Sequence, residues 1–172
     1  MTRAAAFFAA LGLALLVAGG TARAGLDEGL DYYNKGDYFR ALSELKPEAE
    51  SGNAIAQIHV AGIYQYGLIS AANFGEALKW YGRAAEQDNV DGQIGLGVMY
   101  SLGQGVEKDP VEAYKWLRLA ASRLPQGSDR SRIIGALDVL AESMSDEELQ
   151  EAIRLAKEWK PGPGSVNLPS AR

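Results

Sequence analysis

The sequence predicts an all-α fold, a right-handed helix-turn-helix repeat solenoid with a period of about 36 residues, on three observations. Shifting the chain against itself by 36 positions superposes Gln57 on Gln93, Ile58 on Ile94, Tyr64 on Tyr100 and Gly67 on Gly103. The same shift carries Glu76 onto Glu112, Ala77 onto Ala113, Lys79 onto Lys115, Trp80 onto Trp116 and Ala84-Ala85 onto Ala120-Ala121. Within each copy the apolar residues recur at helical spacing and a capping residue opens the second helix. Self-similarity at roughly 20–50 residues marks stacked units, none of which can bury its apolar face alone.

Taken in order, residues 1–24 stand apart. Arg3 gives a positive start, Ala4 to Val17 is an apolar run, and Ala22-Arg23-Ala24 is a small-x-small cleavage site. This is the pattern of a secretory signal peptide, with cleavage expected after Ala24 in preference to an uncleaved anchor. Residues 25–160 then form the expected solenoid. Leu26, Leu30 and Tyr33 share one helical face, Gly36 ends that turn, and Asp37 caps a helix carrying Tyr38, Ala41, Leu42 and Leu45. Asp37 and Ala41 lie 36 residues before Asn73 and Ala77, so 26–52 is a partial repeat. Pro47 predicts a kink or break near Lys46, because it removes a backbone donor. Full repeats follow at 54–88 and 90–124. In each, a helix ends at Gly67 or Gly103 and a linker leads to Asn73 or Asp109, with Glu76 or Glu112 three residues on to complete a capping box. Pro110 suits the first helical position.

Gly92, Gly95 and Gly97 crowd one helix, each at a cost of about 1 kcal/mol relative to alanine. Close helix approach explains them, with Gly97 and its counterpart Ala61 at the crossing points. Helices over 129–159 complete the body, the last opened by Ser145 with Glu148. Residues 161–172 have too few apolar groups to offset ordering entropy and read as a flexible tail.

Composition narrows the function. The chain has no cysteine, which excludes a disulfide framework and a lipoprotein anchor. Removing Arg3 and Arg23 from the 17 basic residues leaves 15 against 22 acidic ones, a net charge of −7. Clustered Lys and Arg are what nucleic acids and anionic membranes require, so neither is an expected partner, and no stable membrane insertion is expected after signal cleavage.

At these residues the chain resembles the Sel-1-like repeat family, a branch of the tetratricopeptide-like solenoids. Leu96, Gly97, Tyr100, Gly103, Gly105, Val106, Asp109, Ala113, Trp116, Ala120 and Ala121 follow the family pattern, and the copy departs from it at Gly92, where the pattern has alanine, and at Leu117 after the tryptophan. The earlier copy keeps Ala56, Tyr64, Gly67, Ala77, Trp80, Tyr81, Ala84 and Ala85, but has Val60-Ala61, Ile69 and Asn73 where the pattern has Leu-Gly, Gly and Asp. The flanks, Gly36-Asp37-Tyr38 and Met144 to Trp159, are similar to those of secreted bacterial members. The resemblance implies a helical surface that holds other proteins.

Candidate lining for a groove on the first helices is Tyr33, Gln57, His59 and Gln93. The recurrence of Gln57 at Gln93 leaves open a structural bridge between helices instead. Trp80 and Trp116, at one repeat position, read as core. His59 is the sole histidine of the chain, so a metal site or a histidine-based nucleophile lacks its usual partners. Ser43-Glu44-Leu45-Lys46 fits S-x-x-K, but neither S-D-N nor K-T-G follows it. The expected function is an exported protein-interaction module, bound for the bacterial periplasm, that takes a protein or peptide partner, without catalysis, cofactor or metal. The alternatives are an envelope enzyme or enzyme accessory acting on peptidoglycan or penicillin-type substrates, and a fragment of a larger assembly.

Overall fold

Eight helices and no strand make up the described residues, 25–168, of a computed structural model. They are α1 (residues 25–34), α2 (Tyr38–Glu50), α3 (Ala54–Gln65), α4 (Phe74–Glu86), α5 (Val90–Leu102), α6 (Pro110–Arg123), α7 (Ser128–Glu142) and α8 (Asp146–Glu158). The signal-peptide reading of 1–24 and the last four residues of the expected tail lie outside the described residues. From α2 to α6 each helix packs on the next, and α7 and α8 both pack on α6. This is the expected all-α helix-turn-helix solenoid.

Short polar side chains start nearly every helix. Asp37, Asn53, Asn73, Asn89, Asp109 and Ser145 each accept a backbone N–H that the first turn cannot otherwise pair. The linkers of the two full repeats close alike despite Ile69 replacing glycine. Asn73 N donates to Tyr64 O at 2.9 Å, as Asp109 N does to Tyr100 O at 3.1 Å. Leu68 N and Gln104 N likewise reach Ile63 O and Met99 O.

Those linker bonds correct the expected capping boxes. Because the Asn73 and Asp109 amides are already spent on tyrosine carbonyls, Glu76 and Glu112 do not return to them. Their carboxylates accept the indole N–H of Trp80 and Trp116, at 3.0 and 2.9 Å. Both indoles are 1% exposed, and an unpaired buried donor costs about 1–3 kcal/mol. A reciprocal box forms at Ser145 and Glu148.

Pro47 does not break α2, which runs on to Glu50. The kink or break expected near Lys46 is therefore corrected to a continuous helix. Leu45 and Ala49, on either side of the proline, are wholly buried, and this packing holds the last turn despite the missing donor.

One core runs through α1 to α6 and includes Leu45, Val60, Trp80, Leu96, Met99 and Trp116; a smaller one joins Tyr114, Leu117, Leu137 and Ala152 across α6, α7 and α8. Glycine sets the helix separations within the main core. A β-carbon at Gly92 would lie 2.8 Å from Ala84 Cβ, at Gly95 2.5 Å from the Tyr81 ring, and at Gly97 2.7 Å from Leu117 Cγ. The first two face α4 and the third faces α6, so α5 approaches both neighbours through bare backbone. Ala61, the counterpart of Gly97, is fully buried.

After α8 the chain turns back. Trp159 meets Trp116 edge-on with centroids 5.5 Å apart. Gly162 N then donates to Glu86 O at 2.9 Å and Gly164 N to Glu86 Oε1 at 2.8 Å. Val166 and Leu168 close over Gly82, where a β-carbon would lie 3.5 and 3.2 Å from them. The expected flexible tail is thus corrected over 161–168: two apolar side chains suffice because α4 offers a notch with no side chain in it.

Two outcomes follow from this packing. Gly95→Ala collides with the Tyr81 ring, and overpacking of about 1–3 kcal/mol outweighs the gain of about 1 kcal/mol in helix propensity, so its melting temperature falls. Gly135, in α7, has open space around it, and Gly135→Ala raises the melting temperature. Burial also lifts the phenol of Tyr100 to about 12 from the ordinary 10.0, and that of Tyr81 higher still. The unfolded chain releases these protons above pH 10 while the folded one retains them. Stability is therefore full below pH 10 and falls as pH rises toward 12. Tyr100→Phe makes that decline shallower in thermal melts across the window.

Candidate binding face

Along α3 and its C-cap, Ile55, His59, Gly62 and Tyr66 lie at i, i+4, i+7 and i+11 and share one face. The 36-residue shift places Asp91, Gly95, Val98 and Leu102 at the same positions of α5. This face of the first helices carries large apolar groups in the open: Ile55 is 49% exposed, Tyr66 67% and Leu102 63%. Gly62 forms its floor. A β-carbon there would lie 3.5 Å from the Tyr33 hydroxyl and 3.8 Å from that of Tyr81, so phenols from α1 and α4 converge over α3.

Tyr81 reaches this face from the second helix of its repeat, with its ring over Gly95. Its hydroxyl donates to Gln65 Oε1 at 3.0 Å, and Gln65 Nε2 donates to Gln104 Oε1 at 2.8 Å. The relay ties α3, α4 and the linker after α5 together. Burial raises the Tyr81 phenol, and the neighbouring Tyr66, Tyr33 and Asp91 raise it further. Tyr33 is raised by burial, then by Tyr38 and Tyr66. These couplings put Tyr33, Tyr66, Tyr81 and Asp91 in one electrostatic neighbourhood.

Of the four residues singled out from the sequence, two come together here. Tyr33 and His59, both half-buried, meet edge-to-face with centroids 4.7 Å apart, and Tyr38 meets Tyr33 edge-on at 5.3 Å. His59 Nδ1 is 2.8 Å from Ile55 O; a proton on Nδ1 makes that bond and leaves Nε2 as an acceptor.

Gln57 and Gln93 are 2% and 0% exposed, which corrects their expected place in an open groove. Each is a bridge inside the stack. Gln57 Nε2 donates to Ala49 O at 3.0 Å, and its Oε1 accepts from Gln87 Nε2 at 2.8 Å. One repeat on, Arg123 stands where Gln87 does, and Asp88 where Gly52 does. Asp88 adopts a left-handed φ of 62°, which aspartate tolerates better than most residues, and its carboxylate accepts from Gln93 Nε2 at 2.9 Å and pairs with Arg123 Nε at 2.6 Å. The same glutamine position is therefore held by an amide pair in one repeat and by a charged pair in the next.

Sequence reading missed Ile55, Tyr66 and Leu102. The signal was available, since Tyr66 is eleven residues after Ile55 and 36 before Leu102, but it lay among exposed residues, where apolar periodicity is usually not sought. Ser43 and Lys46 of the S-x-x-K pattern are elsewhere, along a groove on α2. Among the described residues no cluster of three or more His, Asp or Glu could hold a metal ion, and no helix is long and apolar enough to cross a membrane. Aromatic and aliphatic groups with neutral hydrogen-bonding tips fit this face for binding a side-chain surface.

The Sel1 repeat family model matches residues 54–89 and 90–123. The chain is 35% identical over 81 residues to a putative sel1-like repeat-containing protein of Acanthamoeba polyphaga mimivirus, covering 47% of this chain and 15% of that protein. It is 36% identical over 87 residues to chitin synthase regulatory factor 3 of Schizosaccharomyces pombe, covering 49% of this chain and 9% of that protein. It thus spans a small part of the length of these relatives. The solved structure of a protective antigen of uropathogenic Escherichia coli strains, displaying an SLR fold, matches with a TM-score of 0.73 at 23% identity, over 88% of this chain and 34% of that one. A Sel1 repeat protein from Oxalobacter formigenes matches with a TM-score of 0.60 at 32% identity, over 77% and 55%. Sel1 repeats are generally protein-interaction modules. Residues 54–89 and 90–123, spanning α3 to α6, are two Sel1 repeats, and α2, α7 and α8 stack on them.

Proposed function

We infer that this chain is an exported adaptor or regulator whose first-helix face, built from α1, α3 and α5, receives a segment of a protein partner, without a cofactor and without catalysis of its own. The observation that carries this is the exposure of Ile55, Tyr66 and Leu102 along one face beside Tyr33 and His59. Apolar groups of that size in the open mark a contact surface when they fall together. Their placement on packed helices means that little ordering entropy is lost when a partner binds. The name of the chitin synthase regulatory factor fits a role in holding or controlling another protein. The pattern of residues 1–24 supports export to the bacterial periplasm, with Gly25 as the first residue of the mature chain.

Two measurements test the reading. The mature chain, used to capture protein from periplasmic extract, retains a defined partner, and Ile55→Ser/Tyr66→Ala/Leu102→Ser lowers that retention by about tenfold or more at unchanged helix content. Equal retention by both sinks the assignment of the face. The mass of the protein recovered from the periplasmic fraction corresponds to a chain starting at Gly25; a full-length mass in the membrane fraction shows an anchor instead.

A further inference from the structure

Phe39, Ser43, Lys46 and Glu50 lie at i, i+4, i+7 and i+11 of α2, and the 36-residue shift turns them into Gly75, Lys79, Gly82 and Glu86 of α4. The two stripes are one face of the solenoid, a repeat apart. On α4 this face is occupied by the returning chain: Gly162 and Gly164 donate their backbone N–H groups to Glu86 around a turn closed by Ser165 N on Gly162 O, and Val166 and Leu168 close over Gly82.

On α2 the same face is open. Phe39 is 75% exposed and, with Leu42, Lys46, Pro47, Glu50 and Ile69, walls a groove of about 510 Å³. The occupied and open halves are continuous, because Glu50 also lines the cleft of about 300 Å³ where Pro163 lies beside Arg83 and Glu86. Glu50, like Glu86, belongs to the last turn of its helix, whose carbonyls have no partner within the helix. Lys46 fills the position that Gly82 leaves empty, which moves the apolar seat toward Phe39 and Ile69.

We propose that the α2 groove docks a proline- and glycine-containing turn of a partner protein followed by apolar side chains, with the chemistry that residues 161–168 show on α4. The partner's backbone N–H groups bond at Glu50, and its apolar side chains lie against Phe39, Leu42 and Ile69. Proline in the segment restricts its backbone before binding and lowers the entropy lost on docking. The chain's own 161–168 stretch is engaged on α4, so the occupant of α2 is another molecule. This surface is separate from the first-helix face.

The probe is a fluorescein-labelled peptide with the sequence of residues 160–168, titrated with the full mature chain and followed by anisotropy. It binds saturably at one site, and Phe39→Ala and Ile69→Ser each weaken it by about tenfold or more, at unchanged melting temperature because both side chains are exposed. Gly82→Ala leaves the affinity unchanged, and a peptide with serine in place of Val166 and Leu168 does not bind. Absence of binding overturns the proposal. So does binding that survives both α2 variants, or binding lost in Gly82→Ala, which places the peptide on α4 in exchange for the chain's own segment.

Discussion

Helix α5 lies between α4 and α6 at separations that leave no room for a β-carbon at Gly92, Gly95 or Gly97. Three glycines in one helix forgo roughly 3 kcal/mol of helix propensity, and only packing on both sides offsets it. The closeness that results lets the Tyr81 ring cross over Gly95 and places Trp116 and Met99 in a continuous core. It also brings the phenol of a second helix to the face of the first helices. The binding face thus depends on a separation set by residues with no side chain.

Tight stacking leaves little water for buried polar groups, and the repeat pairs its indole and amide donors in a fixed way. Each linker returns one amide to a tyrosine carbonyl, which frees the glutamate of the next helix for a tryptophan indole. Glutamines on the first helices join one repeat to its neighbour. Where Arg123 stands in place of Gln87, Asp88 stands in place of Gly52, and Gln93 is held through the ionic pair of these two. Many of the repeated residues hold the stack, whereas Ile55 and Asp91 or Tyr66 and Leu102, which differ between copies, face outward.

That division explains what could be read in advance. The helix pair, its period and the buried role of Trp80 and Trp116 were legible because packing repeats with the sequence. Gln57 and Gln93 were misplaced into a groove because recurrence of a polar residue does not distinguish a bridge from a contact surface; burial does. The box at Asn73 and Glu76 was half right, since the competing acceptor, the Tyr64 carbonyl, is nine residues away in sequence and visible only in the folded linker. At Pro47 and over 161–168 local chemistry alone misleads, because the burial of Leu45 and Ala49 holds the last turn of α2 and the bare backbone at Gly82 seats the returning chain.

In a linear array of repeats each unit touches only its neighbours, so the last helices can fray without disturbing the first. The return of residues 161–168 to α4 changes the connectivity of that array. Loss of α8 from α6 now also strips the cover from Gly82 and removes the donors from Glu86, so the end of the chain and the middle of the stack share one free energy of opening. The clasp turns an open row of helices into a closed circuit, and such a circuit unfolds as a cooperative unit.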